Sequence, residues 1–143
     1  MKKITLFVFA AIIAVVALSC CPCRKSTSST DWNLSSTSWQ LTQINGRSVK
    51  PQEEQYTLRL SAQGEVSGVA QCNRIMGSYT FDADRALKFD HMGMTRMMCP
   101  GPEFEDEYGR MLGEVTHYEV DGDMLIMLSN GSTVALFQKV DGQ

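Results

Sequence analysis

Residues 68–99 read GVAQCNRIMGSYTFDADRALKFDHMGMTRMMC, and their patterning decides the fold. Near the start stands Cys72-Asn73-Arg74, and the stretch closes on Thr95-Arg96-Met97-Met98-Cys99. Between these two cysteine-centred motifs the pattern has period two. Ile75 to Phe81 places Tyr79 and Phe81 on one face, Asp82-Ala83-Asp84-Arg85 supplies a turn, and Leu87 and Phe89 resume the alternation. Alternation marks half-buried strands, because successive side chains leave a strand on opposite faces.

The same period continues on both sides. Ser38 to Ile44 alternates and stops at Asn45-Gly46, a dipeptide suited to a tight hairpin turn. Tyr56 to Leu60 alternates and stops near Gln63-Gly64, and Glu65 to Ala70 follows as a short strand carrying Gly68. Toward the C-terminus, Tyr118–Val120, Met124–Leu128 and Thr133–Gln138 are separated by Asp121-Gly122 and Asn130-Gly131, which predicts a three-stranded meander. One segment departs from this pattern. Phe104, Tyr108, Met111, Leu112 and Val115 fall at helical spacing, so Pro102–Val115 is predicted as a helix. Pro102 suits its first turn, and Glu103, Glu105, Asp106 and Glu107 sit where the helix dipole favours negative charge. About eight short antiparallel strands and one late helix predict an α+β fold that is mainly antiparallel β. The expected architecture is a small cracked or curled β-barrel packed on that helix.

The N-terminus carries an address. Lys2 and Lys3 precede an apolar run, Ile4 to Leu18, broken only by Thr5. A short apolar run behind positive charge is the pattern of a secretory signal. It ends in Ala17-Leu18-Ser19-Cys20, which resembles a bacterial lipobox, so residues 1–19 are expected to be removed and Cys20 to carry lipid. Each buried methylene contributes about 0.8 kcal/mol, so several acyl chains give a lasting membrane anchor. No aspartate follows Cys20, which by the enterobacterial sorting rule points to the outer membrane. Residues 20–36 are rich in serine and threonine and read as the lipidated end and a flexible tether, leaving residues 37–140 as one domain. Cys21 and Cys23 lie beside the anchor, and spacing assigns them no partner. Loss of Lys2 and Lys3 takes 13 basic side chains to 11 against 16 acidic ones, a formal net of −5. That balance argues against a nucleic-acid partner.

The motifs resemble a known family. Trp39-Gln40-Leu41, Val66-Ser67-Gly68 running into Cys72-Asn73-Arg74, Gly77-Ser78-Tyr79, Thr95-Arg96-Met97-Met98-Cys99-Pro100, and Glu103 or Glu107 on the helix resemble the META domain family, with its HslJ-like bacterial lipoproteins. Two departures are visible: Gln71 stands where a glycine is expected, and Ile75 where phenylalanine is usual. The resemblance implies a small barrel-like fold with one helix, mostly without a known biochemical activity. It also implies links to heat shock, envelope stress, antibiotic tolerance, secretion or motility. The resemblance further implies a fold similar to that of pilot lipoproteins, which hold a partner's tail in a hydrophobic groove.

Four sets of residues invite a chemical reading. Cys72 and Cys99 are expected to form a structural disulfide in an oxidising envelope, closing a loop of about 27 residues and contributing about 3.5 kcal/mol. The alternative is a reactive Cys99 thiol with His91 as its base. Asn73, Arg74, Arg96 and Glu107 are expected to form a polar cluster of the family motif, with a structural role. The soft run His91, Met92, Met94, Met97 and Met98 suits Cu(I), although methionine also fills cores. His117 stands alone beside Tyr118. The sequence holds no Gly-x-Ser-x-Gly, no His-Glu-x-x-His and no phosphate-binding glycine loop. The expectation is therefore a non-enzymatic binding or interaction module without a cofactor, held at the outer membrane by its lipid and meeting an envelope protein partner. A periplasmic copper binder is the alternative.

Overall fold

The structure is a computed structural model that describes residues 34–100 and 102–140. Cys20, Cys21, Cys23 and the signal-like run lie outside the described residues. Among those described, the elements in order are β1 (Ser38–Ile44), β2 (Arg47–Ser48), β3 (Thr57–Leu60), β4 (Glu65–Val69), β5 (Arg74–Phe81), β6 (Leu87–Met94), α1 (Pro102–Glu114), β7 (His117–Asp121), β8 (Met124–Ser129) and β9 (Ser132–Val140). Two hairpins owe their register to Asn-Gly dipeptides. Asn45 and Gly46 have φ of 47° and 78°, and Asn130 and Gly131 have φ of 49° and 82°. Positive φ at both turn residues matches the twist of the flanking strands, so Ile44 pairs with Arg47 and Ser129 with Ser132.

All strand pairs are antiparallel, in the order β6-β5-β4-β3-β1-β9-β8-β7, with β2 paired to β1 off that path. The curled sheet nearly closes. Its edge strands meet at a single bridge between Ala86 and His117, supported by Leu87 N–H to the Thr116 carbonyl at 2.9 Å and Tyr118 N–H to the Arg85 carbonyl at 3.0 Å. The predicted meander is β7-β8-β9, and the predicted helix is α1. Helix α1 lays Tyr108, Met111 and Leu112, followed by Val115, into a core shared with Trp39, Leu41, Leu58, Tyr118 and Phe137. The Tyr108 hydroxyl, buried on β3, donates to the Thr57 carbonyl at 3.3 Å. Among the described residues no helix is long and apolar enough to cross a membrane.

Two glycines allow the sheet to curl. A Cβ at Gly68 would land on the Thr57 carbonyl of the neighbouring strand, so only glycine fits between Leu58 and Ile75. At Gly77 a Cβ would meet the Met92 sulfur at 2.5 Å. The register shifts there, so that His91 (φ 53°) and Met92 together face Gly77. Such a bulge bends the strand and re-aims its side chains.

One boundary moves. The tether was expected to run to residue 36, yet Leu34 is fully buried, its carbonyl accepts the Trp39 indole N–H at 3.3 Å, and Ser35 bridges Leu60. The ordered domain therefore includes Leu34, which the surrounding serines and threonines conceal. Strand β2, two residues long, is too short to show period two in the sequence.

Candidate functional site

The two cysteine motifs meet. Cys72 and Cys99 form a disulfide with their Cα atoms 6.0 Å apart, so the loop after β6 is fastened to the turn between β4 and β5. Beside it Asn73 is 3% exposed. Its Oδ1 accepts from the Thr95 hydroxyl at 2.9 Å and the Met97 N–H at 2.6 Å, while its Nδ2 donates to the Met97 carbonyl at 3.1 Å and to Glu105 Oε2 at 2.7 Å. A backbone N–H can only donate, so the amide orientation is determined by its partners. Asparagine suits this position because one side chain supplies both donor and acceptor to an irregular loop.

Glu105 completes the clasp. Its Oε1 accepts from the N–H groups of Gln71 and Asn73, each at 3.1 Å, with the Cys72 N–H at 3.4 Å. Successive backbone N–H groups in a tight turn make an anion-binding concavity, and here the protein's own carboxylate fills it. Gln71, the departure from the family pattern, also has a use. Its Oε1 accepts from the Tyr56 hydroxyl at 3.1 Å, and its Nε2 donates to the Pro100 carbonyl. Burial, and then the negative charge of Glu105, push the Tyr56 hydroxyl up to about 12. No buried side-chain nitrogen or oxygen among the described residues lacks a partner.

The expected cluster comes together only in part. Asn73 is central, but Arg74 and Arg96 are exposed, and Arg74 touches the clasp through its backbone: its N–H donates to the Thr95 hydroxyl and its carbonyl accepts from the Thr95 N–H, each at 3.0 Å. Glu107 faces elsewhere: it accepts from Asn45 at 3.0 Å and pairs with Arg47 on the β1–β2 hairpin, which holds it below the usual carboxylate range through the Arg47 and then the Asn45 hydrogen bond. Arg47 also lies 5.7 Å from the Phe104 ring centroid. The place expected for Glu107 belongs to Glu105. At 100° per residue, Glu105 shares the buried stripe of Tyr108, Leu112 and Val115, whereas Glu107 is turned about 200° away. That spacing was the available signal.

The soft run is divided. Met92 packs over Gly77, and Met94 packs against the core with its methyl beside Gly109, whereas Met97 is 56% and Met98 99% exposed. His91 is exposed, with Nδ1 3.3 Å from the Ser78 hydroxyl, and that hydroxyl donates to the Asp90 carbonyl at 3.1 Å. His117 is exposed at the start of β7, with Nδ1 3.0 Å from the Thr116 hydroxyl. Among the described residues no three His, Cys, Asp or Glu side chains gather as a metal site.

A broad hollow lies on the outer face of the sheet. It has a volume of about 680 Å³ and spans β1, β3, β4 and β5. Register sets two cross-strand rows of outward residues: Gln40, Thr57, Val69 and Arg74 in one, and Ser38, Arg59, Ser67 and Met76 in the other. Arg59 is propped by the Ser38 hydroxyl, at 3.0 Å from Nε and 2.7 Å from a terminal nitrogen. Glu53 and Glu54 form part of its rim. Among the described residues neither arginine has a carboxylate partner. Trp39 and Tyr79 are buried, so the groove opens beside Trp39 through its outward neighbours Ser38 and Gln40.

Comparison with known proteins agrees with this geometry. A family model, the META domain, matches residues 32–141. Among solved structures, a DUF4847 family protein from Bacteroides vulgatus is similar over 73% of this chain and 93% of its own, with 18% identity and a TM-score of 0.58. A second, solved by NMR, covers 76% of this chain and 93% of its own, with 23% identity and a TM-score of 0.61. At those identities the likeness is one of fold. No curated protein matches the chain. The residues matched reach from before Leu34 to the end of β9 and include both cysteine motifs, and the chain belongs to the META domain family.

Proposed function

We propose that the protein is an envelope lipoprotein whose META domain is a non-enzymatic binding module, held at the outer membrane through Cys20 and supporting the envelope under stress. The observation that carries this reading is a contrast in partners. The Cys72, Asn73 and Glu105 clasp spends its polar groups on the domain itself, while the outer groove keeps Arg59 and Arg74 without a carboxylate partner among the described residues. The features that would serve catalysis are otherwise engaged. The Cys99 sulfur is in the disulfide, and the Ser78 proton is committed to a backbone carbonyl. A copper reading needs His91, Met92, Met94, Met97 and Met98 on one centre, and two of these methionines pack inward while two stand out on the loop. The lipid anchor is supported by the Ala17-Leu18-Ser19-Cys20 sequence alone.

The test is site-resolved crosslinking in intact cells. A photo-crosslinking phenylalanine analogue at Ser67, inside the groove, is expected to give an adduct with an envelope protein under heat or antibiotic challenge. The same analogue at Lys88, exposed on another part of the sheet, is expected to give none. Absence of adducts from both positions overturns the binding reading.

A further inference from the structure

The groove on the outer face carries a pattern of charge as well as a shape. Neighbouring strands are about 4.8 Å apart and residues two apart on a strand about 7 Å, which puts the Cα atoms of Arg59 and Arg74 about 12 Å from each other. Arg59 stands in the lower cross-strand row and Arg74 at the far end of the upper one. Glu53 and Glu54 rim the groove beyond Thr57, whose hydroxyl donates to the Glu54 carbonyl at 3.4 Å. The floor between these charges mixes hydroxyl groups of Thr57 and Ser67 with apolar Val69 and Met76. A volume of about 680 Å³ falls in the range of small-ligand sites.

We infer that this groove binds a short extended peptide segment that carries two carboxylates for Arg59 and Arg74 and an ammonium group for Glu53 and Glu54. This rests on the binding-module reading above and names the ligand chemistry of the same site. Three features select such an occupant. Guanidinium groups pair carboxylates through two parallel hydrogen bonds, and Arg59 is already oriented by Ser38. The acidic rim repels a uniformly anionic surface, so a segment with mixed charge is favoured over an anionic membrane. The Gln40 amide is spent on the Gln52 and Gln55 carbonyls and the Thr57 hydroxyl on Glu54 and Val69, so the floor offers an extended segment the Ser67 hydroxyl, while Val69 and Met76 give its apolar side chains a place to rest.

The test uses the mature lipidated chain in neutral detergent micelles and fluorescein-labelled octapeptides read by anisotropy. One peptide bears two glutamates four residues apart and a terminal lysine, one has both glutamates replaced by glutamine, and one has the charges inverted. The first is expected to bind at least about tenfold more tightly than either of the others at low salt, and to weaken as salt rises. The double substitution R59Q/R74Q is expected to remove that preference, and each single substitution to weaken the first peptide by about fivefold. Unchanged near-UV circular dichroism checks that the variants are folded. Equal binding of the three peptides, or binding untouched by R59Q/R74Q, overturns the charge selection. Failure of all three peptides also overturns it, and if the Ser67 crosslink in cells persists, the binding-module reading survives that result. Loss of both the peptide signal and the crosslink overturns the two together.

Discussion

The clasp, at the turn between β4 and β5, and the outer groove, which runs over those strands, are both polar, yet they differ in where their hydrogen bonds go. In the clasp, Glu105 and Asn73 are 5% and 3% exposed and bond to backbone groups of the same chain. In the groove, among the described residues, the Arg59 guanidinium is held by Ser38 alone, and Arg74 stands exposed. A polar group buried without partners costs about 1–3 kcal/mol, so the clasp must be internally complete for the domain to fold. Charged groups at the surface meet no such demand and stay available to a ligand. A motif rich in chemistry can therefore serve the fold, while we propose the plainer surface for binding.

Substitutions can break this comparison, starting with the clasp. Glu105→Ala is expected to cost the most, about 3–5 kcal/mol in denaturant unfolding, because it strips a buried carboxylate from consecutive backbone donors. The double variant C72A/C99A is expected to lose about 3.5 kcal/mol, from a closed loop of 27 residues. Gly68→Ala should cost about 1–3 kcal/mol, since a Cβ there meets the backbone carbonyl of Thr57, which cannot rotate aside. A loss below about 0.5 kcal/mol in any of the three would contradict the structural role assigned to that group.

The remaining predictions sharpen the contrast. Glu107 is depressed by its Arg47 and Asn45 hydrogen bonds, so its contribution is present above its ordinary pKa of 4.5 and is lost as the pH falls through the lower folded value. Glu107→Gln should therefore cost less than about 1 kcal/mol near neutral pH and flatten the acid limb of a thermal-unfolding profile below pH 4.5. R59Q/R74Q should leave stability within about 0.5 kcal/mol of the parent, since neither side chain is buried or holds an ion pair among the described residues.

Much of the fold is legible in the chain, because its strongest signals are local. Asn45-Gly46 and Asn130-Gly131 demand positive φ at both positions, and the alternation on either side then leaves little freedom of register. The helix shows through Phe104, Tyr108, Met111, Leu112 and Val115. The site is less legible, for three physical reasons. Attention to apolar residues passes over Glu105, although its helical spacing from Tyr108 and Leu112 places it on the buried stripe. The serine- and threonine-rich lead-in hides the buried Leu34. The groove gathers Ser38, Arg59, Ser67 and Met76 from four strands, and only the pairing register brings them into one row.

The claim that the clasp holds the fold while the groove binds is tested most directly by measuring two quantities on R59Q/R74Q: the unfolding midpoint of the purified protein and the crosslink yield from Ser67 in cells. The account predicts a midpoint unchanged from the parent and a crosslink that is lost. A crosslink that persists at the parental yield in this variant would contradict it.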